Sequence, residues 1–512
     1  MNENFVVKIK KIVLLSGIKL LANKKPGSSI LIKAINRGIR NSIRSYEFTH
    51  GAKSEYMAKV QAQFLINFFK QVLKNIGKGY ISKEYVQAFI NNLVRSSCYR
   101  EEIKVAIETY KNKYGVKPPK FVFVSPTQKC NLKCTDCYAA SSPLTLTSLP
   151  YHIVERLIKE MHNICGSRLS VISGGEPFMW KDGRKDIISL AEEFTDMFFM
   201  VYTNGTLMSE ENLKRLKQAA NMTLVISVEG YEEQTDKRRG KGVYQKILKN
   251  IDRIKKYGIP FGVSVTVTKE NIDILMQNDF YEYLFEELGA TYMYTFHLMP
   301  IGRAKDAIEL MLTPDQRLKF TLKWEELLFK KGYFVADFGL HFFNLNTTYL
   351  QFTLKWQDIL FKKSHWGVDF LDAGPVDRGC IAYGRPGGYF YVDWNGNIMP
   401  CALVPFYKDN IYNLYKQDKT IADALMSDLF VRGRKWQSDF VKDPSGNFFT
   451  PCAIMDHYRD FREKILTPDT KPEDEYAKLT LEDQEYFKKM DEFDSALQQK
   501  MAPLWKKRMK TE

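Results

Sequence analysis

From residue 120 to about residue 300, two hydrophobic patterns alternate along the chain. Short apolar runs at 120–124, 169–173, 197–203, 222–228, 261–268 and 292–298 read as strands. Between them, at about 149–164, 184–195, 208–219, 243–257 and 272–288, apolar residues recur at helical spacing. Six such steps predict a parallel sheet with covering helices. The near-continuous apolar run from Met222 to Val228 suits a strand buried on both faces. Upstream the pattern is helical. Met57, Val60, Phe64, Phe68, Leu73 and Ile76 make an apolar stripe in 54–76, and further helices are expected at 82–97 and 99–114, before the Pro118-Pro119 break. Earlier still, Leu31, Ile35, Ile39 and Ile43 recur every four residues among Lys33, Arg37, Arg40 and Arg44, the pattern of a basic amphipathic helix.

Downstream, residues 320–338 return at 352–370 with eleven of nineteen positions identical, an internal repeat expected to pack as two helices near the mouth of the sheet. Phe320, Trp324, Leu327 and Leu328 share one face of the first copy. The segment around Asn395-Gly396 reads as a hairpin. Residues 466–512 are highly charged, helical in pattern and expected to be peripheral. These shifts divide the chain into a basic helical region (1–117), a core (118–305), a helical insertion carrying the repeat (306–370), a small cysteine-bearing α+β domain (371–465) and a charged helical tail (466–512).

Composition narrows the class. A chain of 512 residues, 45 % hydrophobic, is long enough for two or three globular domains. Eight cysteines in that length make no disulfide scaffold, and their clustering points to metal in a reducing compartment. No apolar run reaches membrane-spanning length, so the expected location is cytoplasmic. The net charge is +15, and residues 1–53 hold eleven Lys/Arg against two Glu, a net of +9. That basic end adds an expectation of peripheral contact with an anionic membrane; no nucleic-acid-binding module is recognised.

The candidate chemistry begins at Cys130, Cys134 and Cys137, spaced C-x3-C-x2-C directly after the first strand. Three thiols on one short loop are soft ligands for zinc or iron–sulfur iron. A closed zinc site needs a fourth protein ligand, and no Cys or His lies in the fourteen residues after Cys137, His152 being the first. A 4Fe-4S cluster on three cysteines leaves one iron free. Gly174-Gly175-Glu176-Pro177 follows the second strand; its glycines allow close backbone approach, and Glu176 can accept from an ammonium. Thr203 and Asn204 end the third strand and Ser227 the fourth, all at carboxyl ends, where such sheets bind ligands. Arg239 can pair with a carboxylate bidentately but reads first as a loop charge, and Arg303 reads as a substrate-side candidate. Cys380, Gly396, Cys401 and Cys452 form a second, looser group, and Asp456 or His457 is available as a fourth ligand. Cys98 and Cys165 read as small buried residues.

C-x3-C-x2-C after one strand and GGEP after the next resemble the radical S-adenosylmethionine (SAM) superfamily, with Asp136 at a position often aromatic there. The resemblance implies a partial (β/α)6 TIM-like barrel and a 4Fe-4S cluster on Cys130, Cys134 and Cys137. It implies reductive cleavage of SAM to a 5′-deoxyadenosyl radical, with electrons from a ferredoxin or flavodoxin. It assigns Gly174, Gly175 and Glu176 to the SAM amino group, and Thr203, Asn204 and Ser227 to ribose and methionine. The C-x15-G-x4-C spacing from Cys380 to Cys401 is similar to the opening of the SPASM extension, which implies a shortened, twitch-like domain holding an auxiliary iron–sulfur cluster on Cys380, Cys401 and Cys452. The expected substrate is a peptide or protein. The alternatives are a lipid or small metabolite at a membrane surface, and a non-enzymatic zinc-binding interaction protein.

Overall fold

The computed structural model describes residues 52–98, 100–338, 379–443 and 446–509. The basic helix expected at 28–44 and the second repeat copy lie outside these residues. The described chain opens with three helices, α1 (Ala52–Gly77), α2 (Lys83–Cys98) and α3 (Arg100–Tyr114). On α1 the expected stripe buries Val60 and Phe64. A second, polar stripe at Asn67, Gln71 and Asn75 is equally buried. These amides donate to Leu328 O, Phe285 O and Gly289 O at 2.9, 2.7 and 2.8 Å. The acceptors lie in or beside the widened π-type turns at Tyr283–Leu288 and Leu327–Lys331.

All six expected strands form: β1 (Phe121–Val124), β2 (Leu169–Ile172), β3 (Phe198–Thr203), β4 (Met222–Ser227), β5 (Phe261–Val267) and β6 (Met293–His297). Helices α4 (Tyr151–Asn163), α5 (Ile187–Glu193), α6 (Glu210–Ala219), α7 (Glu232–Arg239) and α8 (Val243–Tyr257) fill the crossovers. Two further strands join in parallel, β7 (Val335–Asp337) beside β6 and β8 (Tyr389–Val392) beside β1. Antiparallel β9 (Asn397–Met399) and β10 (Asp409–Asn410) complete the sheet. The order is β10-β9-β8-β1-β2-β3-β4-β5-β6-β7, with no pairing of β7 to β8 among the described residues.

This open sheet is curled. Phe123 of β1 stacks on Tyr202 of β3 with centroids 6.0 Å apart, and Tyr202 meets Phe296 of β6 at 5.7 Å. In a flat sheet β3 and β6, three strands apart, would stand about 14 Å from each other. The rings therefore face one another across a concave interior, as in a partial barrel, and Phe338 continues the layer by stacking on Phe296 at 4.5 Å.

Three segments differ from the sequence expectation. The first repeat copy is not helical throughout: α9 (Pro314–Glu326) buries Phe320 and Trp324 as expected, but the copy then passes Gly332 (φ +77°) and ends in β7. The Asn395-Gly396 hairpin is present, yet its first strand is part of the main sheet. The tail is not peripheral. Its long helix, α10 (Gln484–Met509), buries Tyr486, Met490, Leu497, Met501 and Trp505, while its charges occupy the other faces. The Tyr486 hydroxyl donates to Pro300 O at 3.0 Å, just beyond β6, and Arg508 pairs with Glu325 on α9. No helix among the described residues is long and apolar enough to cross a membrane.

Candidate functional site

The cysteine loop leaves β1 at its carboxyl end and folds back over the ends of the neighbouring strands. Gly175 N–H donates to Thr127 O and Glu176 N–H to Lys129 O, each at 2.8 Å, so the segment after β2 is zipped to the approach of Cys130. The two glycines are required by that contact. A Cβ on Gly174 would stand 2.4 Å from Thr127 O, and one on Gly175 2.2 Å from Lys129 O. The close approach is thus made to the chain's own backbone. Glu176 is fully buried beneath it. Its carboxylate accepts from Thr203 Oγ1 and Asn204 N–H at 2.8 Å and from Phe178 N–H at 3.1 Å. Burial nevertheless outweighs these donors and pushes its carboxyl up to about 7.

Asn204 ties the end of β3 to the loop. Its Nδ2 lies 3.8 Å from Cys130 Sγ and donates to Asn131 Oδ1 at 2.9 Å, while its Oδ1 accepts from Thr206. Leu132 N–H points at the same sulfur from 3.4 Å. Burial pushes the Cys130 thiol up to about 12, with the Glu176 charge adding to the effect. Cys134 is raised by burial too, against the opposing pull of Arg239 and Arg238.

Those arginines belong to an ion cluster under the loop. Arg238 Nε donates to Asp136 Oδ1 at 2.5 Å, and its Nη1 pairs with Glu229, just beyond the end of β4. Arg239 Nε reaches Glu229 Oε1 at 2.9 Å, and Thr266 N–H reaches Oε2 at 3.0 Å. Arg239 is therefore a member of a buried network and not a loop charge. Asp136, at the position where the resemblance expects an aromatic ring, anchors the loop through charge. Arg303 is likewise structural: its Nε donates to Cys134 O at 3.0 Å and its Nη2 to Ser141 O at 2.6 Å. Gly302 beside it (φ +55°) leaves no room for a Cβ, which would meet Tyr138 O at 2.1 Å. Sequence pattern marked Asp136 only as a departure from the resembled motif and did not single out Glu229 or Arg238. The available signal was an acidic residue at the end of an otherwise apolar strand, which needs a countercharge.

Hydrogen bonds thus connect the cysteine loop with Gly175, Glu176, Thr203 and Asn204, and Gly174 packs directly on Thr127 O. Ser227 stands apart from that network, its hydroxyl 3.2 Å from Ser264 Oγ on β5. In the second cysteine group, beyond burial, charge on Cys401 raises the Cys380 thiol, and charge on Cys380 and Cys401 raises that of Cys452. Burial pushes the Cys380 thiol up to about 12. The Tyr389 hydroxyl lies 2.9 Å from Cys401 Sγ, and Leu403 N–H 3.4 Å from it. Cys165 is buried.

Among the described residues, no three His, Cys, Asp or Glu side chains converge closely enough to hold a single metal ion. A 4Fe-4S cube makes no such demand, because each thiolate binds a different iron. The donor set fits it: soft sulfurs, backbone and amide N–H groups aimed at Cys130, and two guanidinium groups beside Cys134 to offset negative charge.

Residues 124–277 match the model of the radical SAM superfamily. An AdoMet-dependent heme synthase from Methanosarcina barkeri is 28% identical over 300 residues, 57% of this chain and 79% of that protein. The sporulation killing factor maturation protein SkfB of Bacillus subtilis is 28% identical over 151 residues, 29% of this chain and 35% of that protein. Among solved structures, SuiB of Streptococcus suis bound to its precursor peptide SuiA aligns with a TM-score of 0.49 at 17% identity, covering 72% of this chain and 79% of that chain.

Proposed function

We propose, from the premise that the chain is an iron–sulfur enzyme of the radical SAM superfamily, that it uses SAM to start radical chemistry on a peptide or protein. The observation that carries this reading is the single bonded network joining the cysteine loop, Glu176 and Asn204 at the carboxyl ends of β1 to β3. When bound, a 4Fe-4S cluster on Cys130, Cys134 and Cys137 supplies one electron and an iron open to a small molecule. The chain's own residues do the placing. Glu176 offers a carboxylate for the amino group of SAM, held in orientation by Thr203 and Asn204 N–H. Ser227 and Ser264 present hydroxyls on the far side of the mouth for ribose or methionine. The half-buried rings of Phe123, Tyr202, Phe296 and Phe338 line the interior and keep water from a reactive intermediate.

Glu176 makes the SAM step dependent on pH. Its ionised form is the better acceptor, and burial holds its carboxyl near 7 in the unliganded fold. SAM binding to the iron-loaded protein then tightens roughly tenfold between about pH 6 and about pH 8 and flattens above that. Glu176→Gln removes most of this slope in an equilibrium binding measurement. An unchanged slope in the variant would take Glu176 out of the SAM site.

The peptide reading draws on the likeness to SkfB, whose name records maturation of a sporulation killing factor. A second reading, a flat small metabolite, draws on the aromatic layer and on the longer likeness to a heme synthase. Deuterium transfer separates them. A cell extract labelled throughout with deuterium is divided by size and offered to the loaded enzyme with SAM and reductant. The peptide reading expects deuterium in 5′-deoxyadenosine from the macromolecular fraction. Label arriving only from the low-mass fraction overturns it in favour of the second.

A further inference from the structure

We propose that the Tyr389 hydroxyl raises the reduction potential of an auxiliary iron–sulfur centre by donating a hydrogen bond to the Cys401 thiolate. This rests on the reading that Cys380, Cys401 and Cys452 hold such a centre. Contacts beside the three residues support that reading. Tyr383 N–H donates to Pro400 O at 3.2 Å, which ties the turn after Cys380 to the residue before Cys401. Gly379, next to Cys380, packs on Pro451, next to Cys452; a Cβ on it would stand 3.4 Å from the Pro451 Cβ. Thiols on segments joined in this way are soft donors of the kind that suits iron–sulfur iron.

Tyr389 Oη lies 2.9 Å from Cys401 Sγ. That is closer than Leu403 N–H to the same sulfur, at 3.4 Å, and closer than Leu132 N–H or Asn204 Nδ2 to Cys130 Sγ, at 3.4 and 3.8 Å. In the iron-free chain either group can donate. An iron-bound thiolate carries no proton, so there the phenol donates and the sulfur accepts. The ring is held in place. Tyr389 is buried on β8 in register with Phe121 of β1, and its ring stacks on that of Phe121 with centroids 5.1 Å apart and meets Phe123 at 6.3 Å. Its N–H donates to Ile381 O at 2.9 Å, one residue beyond Cys380. A hydrogen bond strengthens as negative charge on its acceptor grows. Reduction adds an electron to the centre, and part of that charge rests on the thiolate sulfurs. The phenol therefore stabilises the reduced state more than the oxidised one, which raises the potential. The phenolic proton stays on oxygen in both states, so only the electron moves.

A redox titration with dithionite, followed by electron paramagnetic resonance, tests this. It uses the anaerobically loaded full-length chain carrying Cys134→Ala, in which the auxiliary centre supplies the remaining iron–sulfur signal. At the potential that half-reduces this chain, adding Tyr389→Phe is expected to raise the oxidised-to-reduced ratio about tenfold, a fall of about 59 mV for one electron. Phenylalanine keeps the stacking on Phe121 and leaves Leu403 N–H on the sulfur, so iron per chain is expected to stay the same. Phe121→Leu loosens the stack but keeps the hydroxyl, and is expected to move the ratio less than about twofold. An unchanged or raised potential in Tyr389→Phe overturns the assignment, and so does an equal fall in Phe121→Leu. Loss of iron from Tyr389→Phe overturns it too, because a donor that only tunes leaves all three thiolates in place. A Cys134→Ala chain that takes up no iron removes the auxiliary centre itself, the reading on which Tyr389 depends.

Discussion

Cys134→Ala abolishes 5′-deoxyadenosine formation, by at least about a thousandfold, or more than about 4 kcal/mol of transition-state stabilisation. It does so without unfolding the chain. The loop contact at this position uses the backbone, where Cys134 O accepts from Arg303 Nε at 3.0 Å, and alanine keeps that carbonyl. The thiol itself is only partly buried and makes no packing core. Its loss leaves two thiolates where three are needed, so about four iron atoms per chain should disappear from the anaerobically loaded protein. The paired measurements are product formation with SAM and reductant, iron per chain, and thermal melting of the iron-free protein. Undiminished product from the variant would end the assignment of this loop as the SAM-cleaving centre. A collapsed melting curve would instead make the result one of folding.

Arg238→Ala costs about 3–5 kcal/mol of stability, the range for breaking a buried ion pair from one side. The arithmetic of partners says why Arg238 and not Arg239. Without Arg238, Glu229 keeps Arg239 and Thr266 N–H. Asp136 keeps only the Thr135 hydroxyl at 3.4 Å, in a position where its side chain is 6% exposed. A buried carboxylate is left almost bare. Because Thr135 and Asp136 sit between two of the cysteines, loosening them also lowers iron uptake. Removing both charges in Arg238→Ala/Asp136→Ala should recover most of the loss, which a double-mutant cycle in urea measures. If Arg238→Ala unfolds within about 1 kcal/mol of wild type, the cluster is not what anchors the loop.

The elements were legible in the sequence where one physical rule acted alone. Runs such as Met222 to Ser227 are apolar on both faces, and only a strand covered on two sides buries them. The stripe of Phe320, Trp324, Leu327 and Leu328 follows from helical periodicity and is buried as that predicts. The thiol spacing and the two glycines carry chemistry by residue type. Where several rules competed, pattern reading failed. Tail residues 484–509 are charged often enough to look solvated, but one stripe from Tyr486 to Trp505 is apolar and docks. Arg303, read as reaching for substrate, spends its donors on backbone carbonyls of the cysteine loop.

What the chain order determined by itself is therefore local: which segments are strands or helices, and which loop carries three soft ligands. Partners distant in sequence were decided by the fold. Tyr389 reaches Cys401, Arg238 reaches Asp136 across 102 positions, and β8 pairs with β1 from the far side of the core segment. The reason is that a buried charge or an orphaned hydroxyl is costly anywhere in the interior, and which group relieves it depends on what packing brings within a few ångströms. No spacing along the chain encodes that neighbour.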